Sequence, residues 1–204
     1  MGMMELRRQI IAGGRQTELP AGYKKLPYIT ADGNQSLRLN YVPVQGDEFH
    51  CRFTIGSNYG TKALISASTG SYQLVLLTMT DYAGFFYRYF SAGSAARWTA
   101  DYTRDIFYDI DIDKNGLCTS NGASASSPYG GALDGNDTTL WLFQRRNGSS
   151  NYIGSMSEFW ITNGGEYKVR LIPCLRKSDS KAGMYDTVSK TFYGSSLNDF
   201  IAGE

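Results

Sequence analysis

The chain has 204 residues and carries 20 Lys and Arg against 19 Asp and Glu, a formal net charge of +1. One domain of such length buries roughly 70% of its unfolded surface without help from a metal or disulfide, and the balanced charge withholds the basic excess that nucleic acid or an anionic membrane would require. A single histidine and three widely spaced cysteines without a CxxC pair exclude the usual zinc ligand sets, while 15 Tyr, 10 Phe, 3 Trp and 23 Gly suit pleated surfaces joined by tight turns.

Residues 3–12 form the one good helical stretch. Leu6 and Ile10 share a face, with Arg7 and Arg8 off it. Gly13-Gly14 stops it, and residues 15–22 read as a linker. A helix this short needs something to pack on, which leaves two readings open: a frayed terminus, or a docking and oligomerising peptide. Met1 to Ala12 lacks the long apolar core of a secretory signal, and no run of about 18 apolar residues occurs to span a membrane.

After Tyr23 the period becomes two. Leu37, Leu39 and Tyr41 alternate with polar neighbours. Phe49, Cys51, Phe53 and Ile55 alternate with His50, Arg52 and Thr54. Ile106, Tyr108, Ile110 and Ile112 alternate with Phe107, Asp109, Asp111 and Asp113, and Tyr167, Val169 and Leu171 with Lys168 and Arg170. Each run predicts a strand with one dry and one wet face. Leu74–Leu77 and Leu140–Phe143 are apolar on both faces and predict central, covered strands. Turns are expected at Asp32-Gly33-Asn34, Asn115-Gly116, Asn121-Gly122 and Asn163-Gly164-Gly165, and a surface loop over 120–135. Many short strands without intervening helices make an all-β sandwich or barrel.

Few residues point to chemistry. Asp111-x-Asp113-x-Asn115-Gly116 opens like a calcium-binding EF-hand loop, but position twelve is Gly122 and a strand precedes it, so a plain turn competes with calcium. No cofactor is implied. A glycosidase of this class would carry paired carboxylates as Glu-x-Asp-x-(x)-Glu, and no Glu begins that pattern. Asp109, Asp111 and Asp113 have the strand period, yet read as a solvated face. His50 is the sole candidate base, and no nucleophile elbow accompanies it. Cys51 and Cys174 are expected to be buried, reduced thiols. Sugar binding needs aromatic rings beside hydrogen-bonding side chains, a composition found in 81–98 and 141–146. Since Phe85, Tyr87 and Tyr89 can form one buried face, the candidates are Tyr82, Arg97 and Trp98.

Two stretches carry a resemblance. Residues 19–35, LPAGYKKLPYITADGNQ, resemble the LPxGYxxLxYIxxxGxQ opening of laminin-G-like, concanavalin A-like domains of gut bacteria and their phages. Residues 172–193, IPCLRKSDSKAGMYDTVSKTFY, resemble that group's closing IPCxRKxDxxxGxYDxVxxxFY. The resemblance implies a two-sheet antiparallel jelly-roll sandwich in an appendage, surface or virion setting, and implies no enzyme. Within the closing stretch Pro173 is expected to end a strand, Gly183 to allow a tight bend, Tyr185 and Phe192 to pack back on the sandwich, and Asp186 to cap a turn.

The expectation is therefore a docking or oligomerisation segment and linker over residues 1–16, and a jelly-roll domain over 17–204. It would serve as a non-enzymatic phage or prophage structural protein, such as a head or tail fibre or decoration protein, at the virion surface or alternatively the bacterial cell surface. Its partners would be other virion proteins or copies of itself through residues 3–12, and an exposed sandwich would meet cell-surface glycan. A free carbohydrate-binding module or lectin is the second reading, and a glycoside hydrolase the third.

Overall fold

A computed structural model describes residues 19–56, 62–67, 73–78, 84–91, 96–99, 103–120, 123–127, 131–134, 138–144 and 151–204, with backbone alone over 77–78, 84–86, 91 and 96–99. The segment 1–16 and its expected helix lie outside the described residues. In chain order the strands are β1 (Tyr23–Lys25), β2 (Ile29–Asp32), β3 (Leu37–Arg38), β4 (Glu48–Thr54), β5 (Ala63–Ala67), β6 (Gln73–Thr78), β7 (Gly84–Ser91), β8 (Ala96–Thr99) and β9 (Phe107–Ile112). They continue as β10 (Leu117–Ser120), β11 (Ala123–Ser126), β12 (Trp141–Leu142), β13 (Ile153–Asn163), β14 (Glu166–Arg176), β15 (Lys181–Asp186), β16 (Thr191–Tyr193) and β17 (Ile201–Ala202).

These strands build two antiparallel sheets. The larger runs β11-β10-β9-β4-β13-β14-β15-β16, with β2 on the first half of β13, β17 on β2, and β1 on the end of β14. The smaller runs β3-β12-β5-β6-β7-β8. Facing side chains merge into one core, where Phe49, Cys51, Phe53, Ile110 and Phe159 of the larger sheet meet Leu64, Leu74, Leu76, Tyr87 and Leu142 of the smaller. The all-β jelly-roll sandwich expected from the sequence is the observed architecture. The central placement of Leu74–Leu76 and Leu142 also holds: β6 and β12 each lie between two partners, and Val75 and Ala63 are buried together away from the main core.

Tyrosine hydroxyls tie this core to its loops. Tyr87 donates to the Gly116 carbonyl and accepts from the Ser127 amide at 2.8 Å. Tyr89 donates to the Asp47 carbonyl at 2.9 Å, and Tyr152 to the Thr54 carbonyl at 2.9 Å. A buried phenol needs such a partner, and carbonyls of turns and strand ends supply it.

The structure departs from strict alternation where ladders slip. Across β6 and β7 the register shifts between Gln73 and Val75, and Phe90 takes φ 50°. That bulge turns both Tyr89 and Phe90 into the core. Ile106, expected on the dry face, precedes β9 and is 49% exposed. The expected loop over 120–135 contains β11, which pairs back on β10. Pro173 does not end its strand, because β14 continues to Arg176. A residue's N–H and C=O point to the same side of a strand, and the Pro173 carbonyl accepts from the Leu26 amide at 2.9 Å. Its missing N–H therefore faces the gap between the last β13 pair at Leu171 and the first β1 pair at Cys174. Gly183 makes no bend either. It lies within β15, where a Cβ would fall 2.3 Å from the Tyr193 carbonyl oxygen and 2.7 Å from the Phe192 ring.

The opening and closing stretches of the chain meet as one unit. Tyr23 packs on Tyr185 and Phe192, with ring centroids 4.8 and 5.6 Å away, and β1 pairs with the end of β14. Asp186 caps the following turn as expected: Oδ1 accepts from the Arg170 and Val188 amides, and Oδ2 from the Ser189 hydroxyl at 2.6 Å.

Candidate functional site

The candidates Tyr82, Arg97 and Trp98 lie outside what is described in side-chain detail. Tyr82 is outside the described residues altogether. The backbones of Arg97 and Trp98 sit in β8, paired with Phe86 and Phe85. Of the stretch 141–146, residues 141–144 are described, with the Arg38 guanidinium 5.7 Å from the Trp141 ring centroid.

The fully described concentration of aromatic and charged side chains is instead on the outer face of the larger sheet. Phe49, Cys51 and Phe53 of β4 fill the core, which by alternation turns His50 and Arg52 outward. On β9 the same logic turns Asp109 and Asp111 outward, and on β13 it turns Glu158 and Trp160 outward around the buried Phe159. Register then sets the rows. Asp111 pairs with His50, His50 with Trp160, and Trp160 with Arg170 of β14, while Asp109 pairs with Arg52 and Arg52 with Glu158.

His50 sits at the centre of this face and is 3% exposed. Its Nδ1 lies 2.8 Å from Asp111 Oδ1, and its Nε2 lies 3.7 Å from both Asp109 Oδ1 and Glu158 Oε2. The ring stacks on Trp160 at 4.8 Å with an interplanar angle of 17°. Burial opposes the charged imidazole, but the hydrogen bonds and charges of Asp111 and Glu158 outweigh it and raise the pKa above the ordinary 6.5. The wet-face reading of His50 is corrected accordingly: it points outward, yet its carboxylate and indole neighbours cover it. Asp111, only 16% exposed, is likewise not part of a solvated row. Asp113 has left the row, and its Oδ1 accepts from the Asn115 and Leu117 amides at 2.8 and 2.9 Å. Those bonds commit the Asp113 oxygen to closing the Asn115-Gly116 turn.

Tyr167 joins the face through a ladder slip. The β13–β14 register shifts between Ile161 and Thr162, so Ile161 faces Val169 while Thr162 faces Tyr167. That shift takes Tyr167 off the dry face expected for it and sets it edge-on to Trp160, with centroids 6.0 Å apart. The Arg170 guanidinium lies 4.9 Å from the Tyr167 centroid, and Arg52 lies 3.8 Å from Asp109. Glu158, at 54% exposure, forms the open rim. The period-two signal of residues 153–163, which places Glu158 and Trp160 beside one another on the face, could have found both residues; Tyr167 could not be found without the bulge.

Chemically the face offers half-buried aromatic edges bordered by carboxylates and guanidinium groups on four paired strands. It is a rigid, polar, stacking surface. The carboxylates of Asp109 and Glu158 each lie 3.7 Å from His50 Nε2. The three cysteines are free and buried. Burial pushes the Cys51 thiol well above its ordinary range, and that of Cys174 up to about 12.

No protein-family model matches the chain, and no curated protein matches it. Among solved structures it is similar to a protein from Bacteroides ovatus that is described provisionally as carbohydrate binding, with a TM-score of 0.58 and 12% identity. The match covers 89% of this chain and 61% of that one, so the chain spans about three fifths of its neighbour's length. At this identity the likeness is one of fold.

Proposed function

We propose that the sandwich is a non-catalytic saccharide-binding domain that displays its larger sheet to a glycan. The observation that carries this reading is the cluster of Trp160, Tyr167, Glu158, Asp109 and Arg52 on one outer face. Saccharide rings present apolar C–H surfaces and in-plane hydroxyls, and aromatic side chains next to paired carboxylate and guanidinium groups complement both. Similarity in fold to a provisionally described carbohydrate-binding protein supports it. The resemblance of residues 19–35 and 172–193 to surface and phage domains supports an appendage setting, a head or tail fibre or decoration protein, with residues 3–12 docking it to virion proteins or to further copies.

A glycan array run with the whole chain, followed by titration calorimetry, tests the binding. Trp160→Ala is expected to weaken binding by about tenfold or more. Unchanged affinity in Trp160→Ala, with loss in Trp98→Ala, would move the site to the smaller sheet and overturn this assignment. Incubation with laminarin should release no reducing sugar, and release abolished by Asp111→Asn would make the domain a hydrolase.

A further inference from the structure

We infer that the saccharide site extends along the larger sheet to a second aromatic platform, Phe107 with Tyr28, and that its ligand is an extended oligosaccharide bound along its length rather than a single terminal sugar. The inference rests on the saccharide-binding reading and adds the ligand's size class and a second set of contacts. Its basis is register. Phe107 of β9 pairs with Thr54 of β4, Asp109 with Arg52, and Asp111 with His50. On the other side of β4, Glu158 of β13 faces Arg52 and Trp160 faces His50. Tyr108 and Ile110 fill the core, so alternation puts Phe107 on the outer face with Asp109. Along that face Phe107, the Asp109–Arg52–Glu158 row and Trp160 therefore follow one another at two-residue steps. Thr54 and His50 are four residues apart and β9 and β13 two strand spacings apart, which separates the Phe107 and Trp160 backbones by roughly 16 Å.

The second platform is built like the first. Tyr28, the residue before β2, packs on Phe107 with ring centroids 5.6 Å apart and planes at 52°. The Arg52 guanidinium lies 5.8 Å from the Phe107 centroid, as Arg170 lies 4.9 Å from that of Tyr167. Gly203 seats the Tyr28 ring: its amide donates to the Tyr28 carbonyl at 3.0 Å, and a Cβ there would fall 2.7 Å from two ring carbons. Phe107, Tyr28, Trp160 and Tyr167 are all half-buried, so each ring is held and still presents a surface. The strip between the platforms is polar, with Arg52 at 48% and Glu158 at 54% exposure. A protein partner would favour a continuous apolar centre there. A glycan chain fits the alternation, because its C–H faces stack on rings while its hydroxyls meet carboxylate and guanidinium groups. A monosaccharide on one platform leaves the other bare. A chain of several sugars spans both, and its second contact is intramolecular once the first is made.

Titration calorimetry of the whole chain with laminari-, xylo- and galacto-oligosaccharides, each from disaccharide to hexasaccharide, tests the inference. In a series that binds, affinity should rise about tenfold or more from disaccharide to hexasaccharide. Phe107→Ala should lower hexasaccharide affinity about tenfold and shrink the gain from chain length by nearly as much, whereas Trp160→Ala should weaken every length. Phe107→Leu keeps apolar bulk but loses the ring face; it should act like Phe107→Ala, and replaces it if that variant does not fold. Equal affinity for disaccharide and hexasaccharide, or a chain-length gain that the Phe107 variants do not reduce, overturns the inference while leaving saccharide binding intact. No binding of any oligosaccharide by the wild type overturns the underlying reading, and this inference with it.

Discussion

Gly183 and Gly164 show how differently one residue type is used. Gly164 takes φ +62° in the β13–β14 hairpin with nothing within 4 Å of a built Cβ, so its constraint is backbone conformation alone. Gly183 is held by space: the Tyr193 carbonyl and the Phe192 ring occupy the volume of a side chain. Gly183→Ala should destabilise the domain by about 2 kcal/mol or more, whereas Gly164→Asn, which tolerates the left-handed region, should cost less than about 1 kcal/mol. Urea denaturation measures both, and a neutral Gly183→Ala would refute the close approach. The thiols make a second test at this scale. Cys51, Cys118 and Cys174 are buried and their pKa values raised chiefly by desolvation. A thiol reagent should label them only as fast as the protein unfolds, and rapid native labelling of Cys51 and Cys174 would contradict their burial.

At the scale of elements, carboxylates hold turns that the ladders cannot. Buried Asp47 accepts from the Tyr41 hydroxyl at 2.8 Å, the Val44 amide at 2.9 Å and Asn163 Nδ2 at 2.9 Å, fixing the approach to β4 against the end of β13. Asp186 does the same between β15 and β16. Asp186→Ala strands two backbone amides and a hydroxyl, and should cost about 2–4 kcal/mol while loosening the β15–β16 hairpin. Amide hydrogen exchange would show it as lost protection at Arg170 and Val188; retained protection would mean that water replaces the carboxylate at no cost. The β13–β14 bulge brings Tyr167 to the Trp160 side of the sheet.

For the whole molecule, His50 links pH to stability. Its folded pKa is raised above the ordinary 6.5, so its contribution is fully present below about pH 6.5 and is lost as pH rises through the folded value. Urea midpoints should fall over that window, and the fall should vanish in His50→Gln; a midpoint that rises there in wild type would contradict the sign. The described ladders run from Tyr23 to Ala202, and the turn before β1 is closed by the Tyr23 amide on the Pro20 carbonyl at 2.9 Å. Deleting residues 1–14 should therefore leave the melting temperature within a few degrees and abolish self-association or incorporation into particles, if residues 3–12 dock as proposed. A large fall in melting temperature would instead make them part of the fold.

By itself the sequence determined the fold class, the dry faces of β4 and β9, the covered position of β6 and the Asn163-Gly164-Gly165 turn, because period-two burial and left-handed glycine turns are local properties of the chain. It also marked residues 19–35 and 172–193 as the opening and closing of one domain; that the two stretches meet through Tyr23, Tyr185 and Phe192 came from the tertiary structure. Only the tertiary structure decided the candidate site. Which wet faces become neighbours depends on strand order, here β9-β4-β13-β14, and no local pattern encodes it. Strand order put His50 between Asp111 and Trp160, and turned an outward-facing histidine into a covered one. Bulges decided the rest: a one-residue slip reverses every side chain beyond it, and such slips took Tyr167 out of the core face and turned Phe90 into the core.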